Sequence, residues 1–558
     1  MHEMTMPDIP RILHGRPLSP GLAEGTTHVH GSTPPDGDAP VSIDTKDIDQ
    51  ECHHLEHSIG VITEDLLALA TRVEKEMDAS LAAIFEAHRQ MLNDPVLKKE
   101  LQAEIQGNLV SAGSAVKTVF RRWERRFLKM ESRMSQQKGS DMRDISNRLS
   151  NALAGIHVHP LEQIAPGCVL VAATLLASDT VFLSKCSAAA VLLGHGHTGS
   201  HAALFLRSMG MPCIANIPDI LGTIPSGIRV LVDADRGELV LCPETTQETA
   251  FQNLIGNRQK LLGVARKNAK KPAITLDGIT IPVFANVATR HDVEIAMQNG
   301  ADGIGLYRTE QTYMGRTKPP GANELLEEMQ RTLEPAKGKL VNVRLLDGGG
   351  DKPLPFMGFQ LETNPALGAR GIRMQIAYPR LLEVQLEAIL KLAADFAVCI
   401  LIPMVTLPQD VVVVREALDR MGAKRGTPAC PGLGAMIETP AAALSLARIA
   451  PHVEFVSFGT NDLTQYAFAS DRENIAVEQY YNDSDDIIFR LLQLAHDDVP
   501  RMPLSLCGEL AGRATHITRL LRCGIRTLSV APPLIPFLKA AVRAVRIQQE
   551  TKAMHHAV

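Results

Sequence analysis

"GLGAMIETPAAALSLARIAPHVEFVSFGTND" (residues 432–462) reads as a strand, a helical stretch and a second strand. The strand candidates are GLGAMIE (432–438) and FVSFGTND (455–462). Each is a short, nearly unbroken apolar run, which suits a strand buried on both faces of a parallel sheet. Each run stops on reactive polar residues, at Glu438 in the first and at Asn461 and Asp462 in the second.

The same unit recurs outward from there, in ITIPVFANV (279–287), GIGLYRT (303–309), LVNVRLLD (340–347), CILIPMV (399–405), LSLCGE (504–509) and TLSVAP (527–532). Eight β units with helical stretches between most of them predict a (β/α)8 TIM-type barrel over 272–558. A doubly wound open sheet is the alternative. Upstream, 246–271 ends in RQKLLGVARKNAKKP and predicts a polar linker helix. Residues 41–154 have few Gly or Pro and show three- and four-residue apolar spacing, as in "SLAAIFEAHRQMLNDPVLKKELQAEI" (80–105). This predicts four or so helices forming a bundle-like insert. Around it, 1–40 and 155–245 read as one small mixed α/β domain. Its strands include GCVLVAATL, AAAVLLG and the strand–turn–strand RVLVDADRGELVLCP. The fold class is therefore multidomain α/β.

Composition excludes several classes of protein. Fifty-seven Lys and Arg against 62 Asp and Glu give a net charge of −5, so no global field suits nucleic acid. No run of about 18 apolar residues predicts a membrane span. The first residues lack the apolar core of a signal peptide. Nine dispersed cysteines without CxxC spacing suit a reducing compartment, so a cytoplasmic location is expected.

In a barrel of this kind, chemistry sits at the C-terminal ends of strands. The residues there are Arg308; Arg344, with Asp347, Asp351 and Lys352 beyond it; Glu438; Asn461 and Asp462, with Arg472 further on; and Cys507, with Glu509 nearby. Glu438 and Asp462 are hard carboxylates suited to Mg²⁺. Arg308, Arg344 and Arg472 can clamp phosphate and carboxylate. Together they predict a site for a small anionic phosphate ester with a divalent metal. Phosphate binding alone needs no thiol, but a reaction that forms a C–H bond can use Cys507 as proton donor.

Elsewhere, VLLGHGHTGSH (191–201) holds His195, His197 and His201. The spacing H-x-H-x3-H could serve zinc, though the loop adds no carboxylate or cysteine. His201 begins the helical run AALFLRSMG, where unpaired N–H groups favour a phosphoryl group. A neutral imidazole there is a competent nucleophile. Nucleophile and metal ligand both stay open for His201, while His195 and His197 read as solvated loop residues.

Nearly the whole chain resembles the family of Enzyme I of the bacterial phosphotransferase system, the phosphoenolpyruvate–protein phosphotransferases. The motifs that carry the resemblance are SDT (178–180), SHAALFLRSMGMPCIA (200–215), GIGLYRTE (303–310), VRLLDGGGDKPLP (343–355), NPALGARGIR (364–373), MIETPAA (436–442), FGTNDLTQYAFASDREN (458–474) and CGELAG (507–512). AHRQMLNDP (87–95) and SDMRDISNRL (140–149) look like that family's carrier-docking domain. The resemblance implies a phosphohistidine swivelling domain (1–40 with 155–245) and a helical domain that docks an HPr-type carrier (41–154). It further implies a linker (246–271) and a barrel (272–558) that binds phosphoenolpyruvate and Mg²⁺ and forms a homodimer. It makes His201 the phosphorylated nucleophile, with Thr180 orienting it. Arg308, Arg344 and Arg472 hold the substrate, and Asn461 contacts its phosphoryl group. Glu438 and Asp462 ligate Mg²⁺, and Cys507 protonates the enolpyruvate carbon. Lys352, Arg370 and Arg373 are further carry-overs.

The sequence departs from the family at two places. GHTGSH (196–201) stands where the family usually has a GGRTSH-type approach, so its arginine is replaced. VKTVFRRWERRFLKM (116–130) is basic, with six Lys or Arg and one Glu. That segment is either a solvated helix face or a match for an unusually acidic carrier. Two rival readings are a dikinase- or synthase-type phosphoenolpyruvate enzyme and a degenerate regulatory homologue. The first lacks a glycine-rich nucleotide loop in 45–154. The second would be expected to have lost His201, Glu438, Asp462 or Cys507, and all four are present.

Overall fold

The computed structural model describes residues 12–31, 40–76, 79–128, 133–156, 160–196, 201–313, 316, 318–349, 354–357, 362–425, 431–472 and 474–547. The chain divides into two compact units, Met1–Arg258 and Gln259–Val558. Helix Thr245–Lys267 runs across the boundary.

The first unit contains a mixed eight-stranded sheet and a bundle of five helices. The strands are β1 (Ile12–His14), β2 (Arg16–Ser19), β3 (Leu22–His30), β4 (Val169–Ala172), β5 (Ala190–Leu193), β6 (Cys213–Ala215), β7 (Arg229–Asp233) and β8 (Glu238–Leu241), in the order β1-β8-β7-β3-β4-β5-β6-β2. β3 to β6 pair in parallel, and β7–β8 is the hairpin expected from DADRGE. The helices are α1 (Ile48–Glu76), α2 (Ala79–Leu92), α3 (Pro95–Asn108), α4 (Ala112–Leu128) and α5 (Arg133–Leu153). Five form where about four were expected, because the long pattern at 80–105 is cut at Asp94–Pro95. Proline disfavours helix in the residue before it, and Asp94 caps the new helix by accepting from the Val96 and Leu97 N–H groups at 2.7 and 3.4 Å.

Two further helices, α6 (Ala177–Cys186) and α7 (His201–Ser208), join bundle and sheet. Ala177, Val181 and Phe205 pack into the bundle core, while Ala203 and Leu206 pack under the sheet. Asp144 of α5 accepts from both the N–H and the hydroxyl of Ser178, at 3.1 and 2.7 Å. The SDMRDISNRL motif therefore ties the bundle to α6. Two basic residues of α4, and its tryptophan, pair with acidic residues of α3. Arg122 bonds Glu104 at 3.0 Å, Arg126 bonds Glu100 at 3.2 Å, and the Trp123 N–H also reaches Glu100.

The second unit is a closed parallel barrel of β9 (Val283–Val287), β10 (Ile304–Tyr307), β11 (Leu340–Arg344), β12 (Ala397–Val405), β13 (Gly432–Ile437), β14 (Phe455–Phe458), β15 (Leu504–Leu506) and β16 (Thr527–Val530). The open-sheet alternative is thereby set aside. All eight sequence candidates form strands; Arg308, Glu438, Asn461, Asp462 and Cys507 lie beyond the strand ends, and Arg344 is the last residue of β11. That offset follows from burial: the apolar residues fill the barrel and its helical coat, and the polar ones reach the rim. Among the described residues, no helix is long and apolar enough to cross a membrane.

Candidate active site

The C-terminal rim of the barrel gathers most of the residues singled out from the sequence. Arg344 ends β11 and is buried. Its Nη2 donates to Glu310 Oε1 at 2.6 Å, and its Nη1 lies 3.6 Å from Asp347. Burial opposes its charge, but Glu310, Asp347 and Glu438 outweigh that and hold its pKa above the ordinary arginine value. Arg370, also buried, bridges two carboxylates, donating to Asp347 Oδ2 at 3.0 Å and to Asp462 Oδ1 at 3.1 Å. The Nε atoms of Arg344 and Arg370 are buried without a protein partner. Such donors are costly unless something accepts from them, and an anionic ligand supplies acceptors.

Arg308 follows β10 and is exposed at the rim. The crowding barrel wall, and Arg344 after it, pull its pKa down. Arg472 is half-buried, and its charge is among those acting on Arg308. Asn461 lies on helix Thr460–Ala467, where its Oδ1 accepts from the Glu509 N–H at 2.9 Å. Arg373 is tied to the Leu367 carbonyl and to Thr406. Lys352 lies outside the described residues, as does Asp351.

Glu438, just past β13, is buried, and its pKa is pushed up to about 8, first by burial and then by Asp462 and Asp347. The two neighbouring carboxylates raise it even though Arg370 and Arg344 act in the opposite direction, and a bound cation would offset that repulsion. Mg²⁺ asks for one or two carboxylates and fills its remaining positions with water and phosphate oxygens. Glu438 and Asp462 fit that demand. Glu438 is held by the N–H of Met404, which donates to Oε1 at 2.5 Å. Met404 sits at a register shift between β12 and β13 with φ +58, a left-handed backbone rare outside glycine. On the other side, a Cβ on Gly459 would lie 2.7 Å from Glu438 Oε2. Only glycine leaves that oxygen its place.

Cys507 directly follows β15 and packs among Leu306, Leu401 and Met436. Its thiol reaches the Phe458 carbonyl at 3.5 Å. Burial raises its pKa, while Arg344 and Arg308 act in the opposite direction. It therefore keeps its proton at neutral pH, with cations nearby to receive a thiolate.

In the first unit, His201 is the first residue of α7, after a loop whose residues 197–200, including His197, lie outside the described residues. His195 is exposed. Gly196 is packed so closely that a Cβ would meet Leu18 at 2.9 Å and Ala215 at 3.1 Å. Thr180 is buried on α6, which packs beside α7. Its hydroxyl donates to the Ala177 carbonyl at 2.6 Å, so toward an imidazole it can only accept. The zinc reading of the loop needs His197, which lies outside the described residues.

Sequence reasoning assigned no role to Glu310, Met404 or Gly459, and noted Asp347 only by its position. Glu310 lay in plain view in GIGLYRTE. The bulge at Met404 left no sequence signal.

Three family models match the chain: PEP-utilising enzyme, N-terminal (14–138); PEP-utilising enzyme, mobile domain (164–237); and PEP-utilising enzyme, PEP-binding domain (264–547). Similar curated proteins include three named phosphoenolpyruvate-protein phosphotransferase. One from Haloferax volcanii is 33% identical, covering 86% of this chain and 85% of its own length. One from Mycoplasma pneumoniae is 32% identical, covering 86% and 84%. One from Haemophilus influenzae is 29% identical, covering 96% and 94%.

Proposed function

The chain belongs to the PEP-utilising enzyme family, and we propose on that premise that it is a phosphoenolpyruvate–protein phosphotransferase. It transfers the phosphoryl group of phosphoenolpyruvate to its own His201 and then to a histidine of an HPr-type carrier, releasing pyruvate. The observation that carries this reading is the rim itself, where arginines, two metal-type carboxylates and a protonated thiol converge at one end of a barrel. Phosphate chemistry explains the arginines and carboxylates, and only a substrate that becomes a carbon acid explains the thiol.

Each residue then has a task. Arg308, Arg344 and Arg472 bind the phosphate and carboxylate of the substrate, and Asn461 contacts the phosphoryl group. Lys352, Arg370 and Arg373 add to the same positive field. Glu438 and Asp462 would hold Mg²⁺, which when bound neutralises phosphate charge in a loose phosphoryl-transfer transition state. The His201 imidazole attacks phosphorus, and the bond from phosphorus to the enol oxygen breaks. Thr180 accepts from the imidazole N–H and fixes the attacking nitrogen. The enolate carbon then takes the proton of Cys507, forming the methyl group of pyruvate. The thiolate left behind is stabilised by Arg308 and Arg344 and recovers a proton from water.

Residues 1–40 with 155–245 act as the phosphohistidine domain and 41–154 as the carrier-docking domain. Residues 246–271 serve as linker, and 272–558 as the substrate-binding and dimerising barrel. The protein works in the cytoplasm. The test is stoichiometric. With phosphoenolpyruvate and Mg²⁺, the pure chain should release about one pyruvate per acid-labile phosphate gained. It should then lose that phosphate to an added histidine phosphocarrier. Pyruvate without protein-bound phosphate would refute the reading.

A further inference from the structure

Two glutamines occupy places where apolar side chains would be expected. Gln375 and Gln385 are 0% and 1% exposed within the coat of the barrel. Their amides close a ring around one residue of the loop after β11. The Leu346 N–H donates to Gln385 Oε1 at 2.7 Å. Gln385 Nε2 donates to Gln375 Oε1 at 3.0 Å. Gln375 Nε2 donates to the Leu346 carbonyl at 2.9 Å. The second proton of Gln385 Nε2 goes to the Leu381 carbonyl at 3.0 Å. Only one orientation of each amide satisfies this ring, because Leu346 offers one donor and one acceptor.

The ring takes over where the sheet stops. Leu345 still donates to the β12 carbonyl of Leu401 at 3.0 Å, and Leu346 is the next residue. Its peptide groups, buried beyond the strand end, need partners from elsewhere. On either side of it stand Arg344, whose carbonyl accepts from Thr309 at 3.1 Å, and Asp347, whose N–H donates to Glu310 at 3.2 Å. Gln375 belongs to helix Ile372–Ala377, just after Arg370, and Gln385 to helix Pro379–Leu392. The ring thus joins the backbone that carries Arg344 and Asp347 to the helix preceded by Arg370. Asp347 and Arg370 close the same junction through their side chains.

We infer that Gln375 and Gln385 are positioning residues for substrate binding: their ring fixes Arg344 and Arg370 at the spacing that the anionic substrate requires. The inference rests on the proposed phosphotransfer. Neither glutamine touches the reacting atoms. Their effect passes through the two arginines, because the peptide they hold joins the two segments that carry Arg344 and Arg370.

The test uses the full chain with radiolabelled phosphoenolpyruvate and Mg²⁺, reading half-saturation, saturated labelling rate and thermal midpoint. The variants are Gln375→Met and Gln385→Met, which keep volume and lose the ring. Lys539→Met is the control. Lys539 is also fully buried, but it bonds Gly300 and Asp302 at the opposite end of β10. Removing an outer partner of a binding group typically weakens binding about 10–100-fold, and that rise in half-saturation is expected for both glutamine variants. The double variant should be little worse than either single one, because one ring is lost in each case. Lys539→Met should lower the thermal midpoint and leave half-saturation near wild type. Half-saturation within about twofold of wild type in both glutamine variants would overturn the inference, as would an equal shift in Lys539→Met. An unlabelled wild type would instead bring down the phosphotransfer reading, and this inference with it.

Discussion

Gly459→Ala isolates the placement of one carboxylate oxygen. Gly459 has φ −91, which alanine adopts freely, so backbone strain contributes nothing. The added methyl group would sit 2.7 Å from Glu438 Oε2, 3.1 Å from Glu438 Cβ and 3.4 Å from Met436 Cγ. Ordinary contact requires the carboxylate to retreat by about 0.7 Å. It has little room to do so, because its other oxygen is pinned by the Met404 N–H at 2.5 Å and the side chain is 1% exposed. Overpacking of this kind costs about 1–3 kcal/mol, and about 1.4 kcal/mol is a factor of ten in binding. The Mg²⁺ concentration that half-saturates labelling by phosphoenolpyruvate should therefore rise about 5–150-fold. The label should still reach His201 at saturating metal. A Mg²⁺ midpoint within twofold of wild type would refute the argument that Glu438 Oε2 is a metal ligand held in place by the absence of a Cβ.

Other outcomes follow from neighbouring groups. Cys507→Ala should slow pyruvate formation by about 10²–10⁴-fold while substrate still binds, as stopped-flow pyruvate release against equilibrium binding would report. In metal-free protein Glu438 titrates near 8, well above the ordinary carboxylate range. The native state therefore holds a proton that the unfolded chain has released, and metal-free stability falls as pH rises toward about 8 and then levels. Because Mg²⁺ requires the ionised form, its affinity should climb between pH 6 and 8, and calorimetry should show proton release on binding. Glu438→Gln should lose both effects. Asp144→Ala should destabilise the helical bundle by about 2–4 kcal/mol, since it strands Ser178 and leaves Arg148, 3.3 Å away, without its carboxylate. The chain's one tryptophan, Trp123 on α4, makes fluorescence a local probe of that unfolding.

The barrel was legible in sequence because its strands are buried on every side, so each apolar run ends where the rim begins. β13 and β14 show this directly, with Glu438 and Asp462 just beyond their last residues. Arg308, Arg344 and Cys507 were visible for the same reason. The pairing of the supporting groups was not. Glu310, Asp347 and Arg370 form a network whose partners are separated by 23 to 37 residues, and no spacing rule predicts such pairs. Met404 reads as one more apolar strand residue, and its role depends on a bulge that turns its N–H toward Glu438. Gln375 and Gln385 are lone glutamines in helical stretches, and nothing in their spacing signals burial. The extra bundle helix was a matter of local chemistry, since Asp94–Pro95 stops one helix and starts the next.

The central claim is that His201 carries the phosphoryl group. Its most direct measurement is acid-labile label on the pure chain after incubation with phosphoenolpyruvate and Mg²⁺, in wild type and in His201→Ala. The account predicts label on wild type that acid removes, and none on His201→Ala. An unlabelled wild type, or undiminished label on His201→Ala, would contradict it.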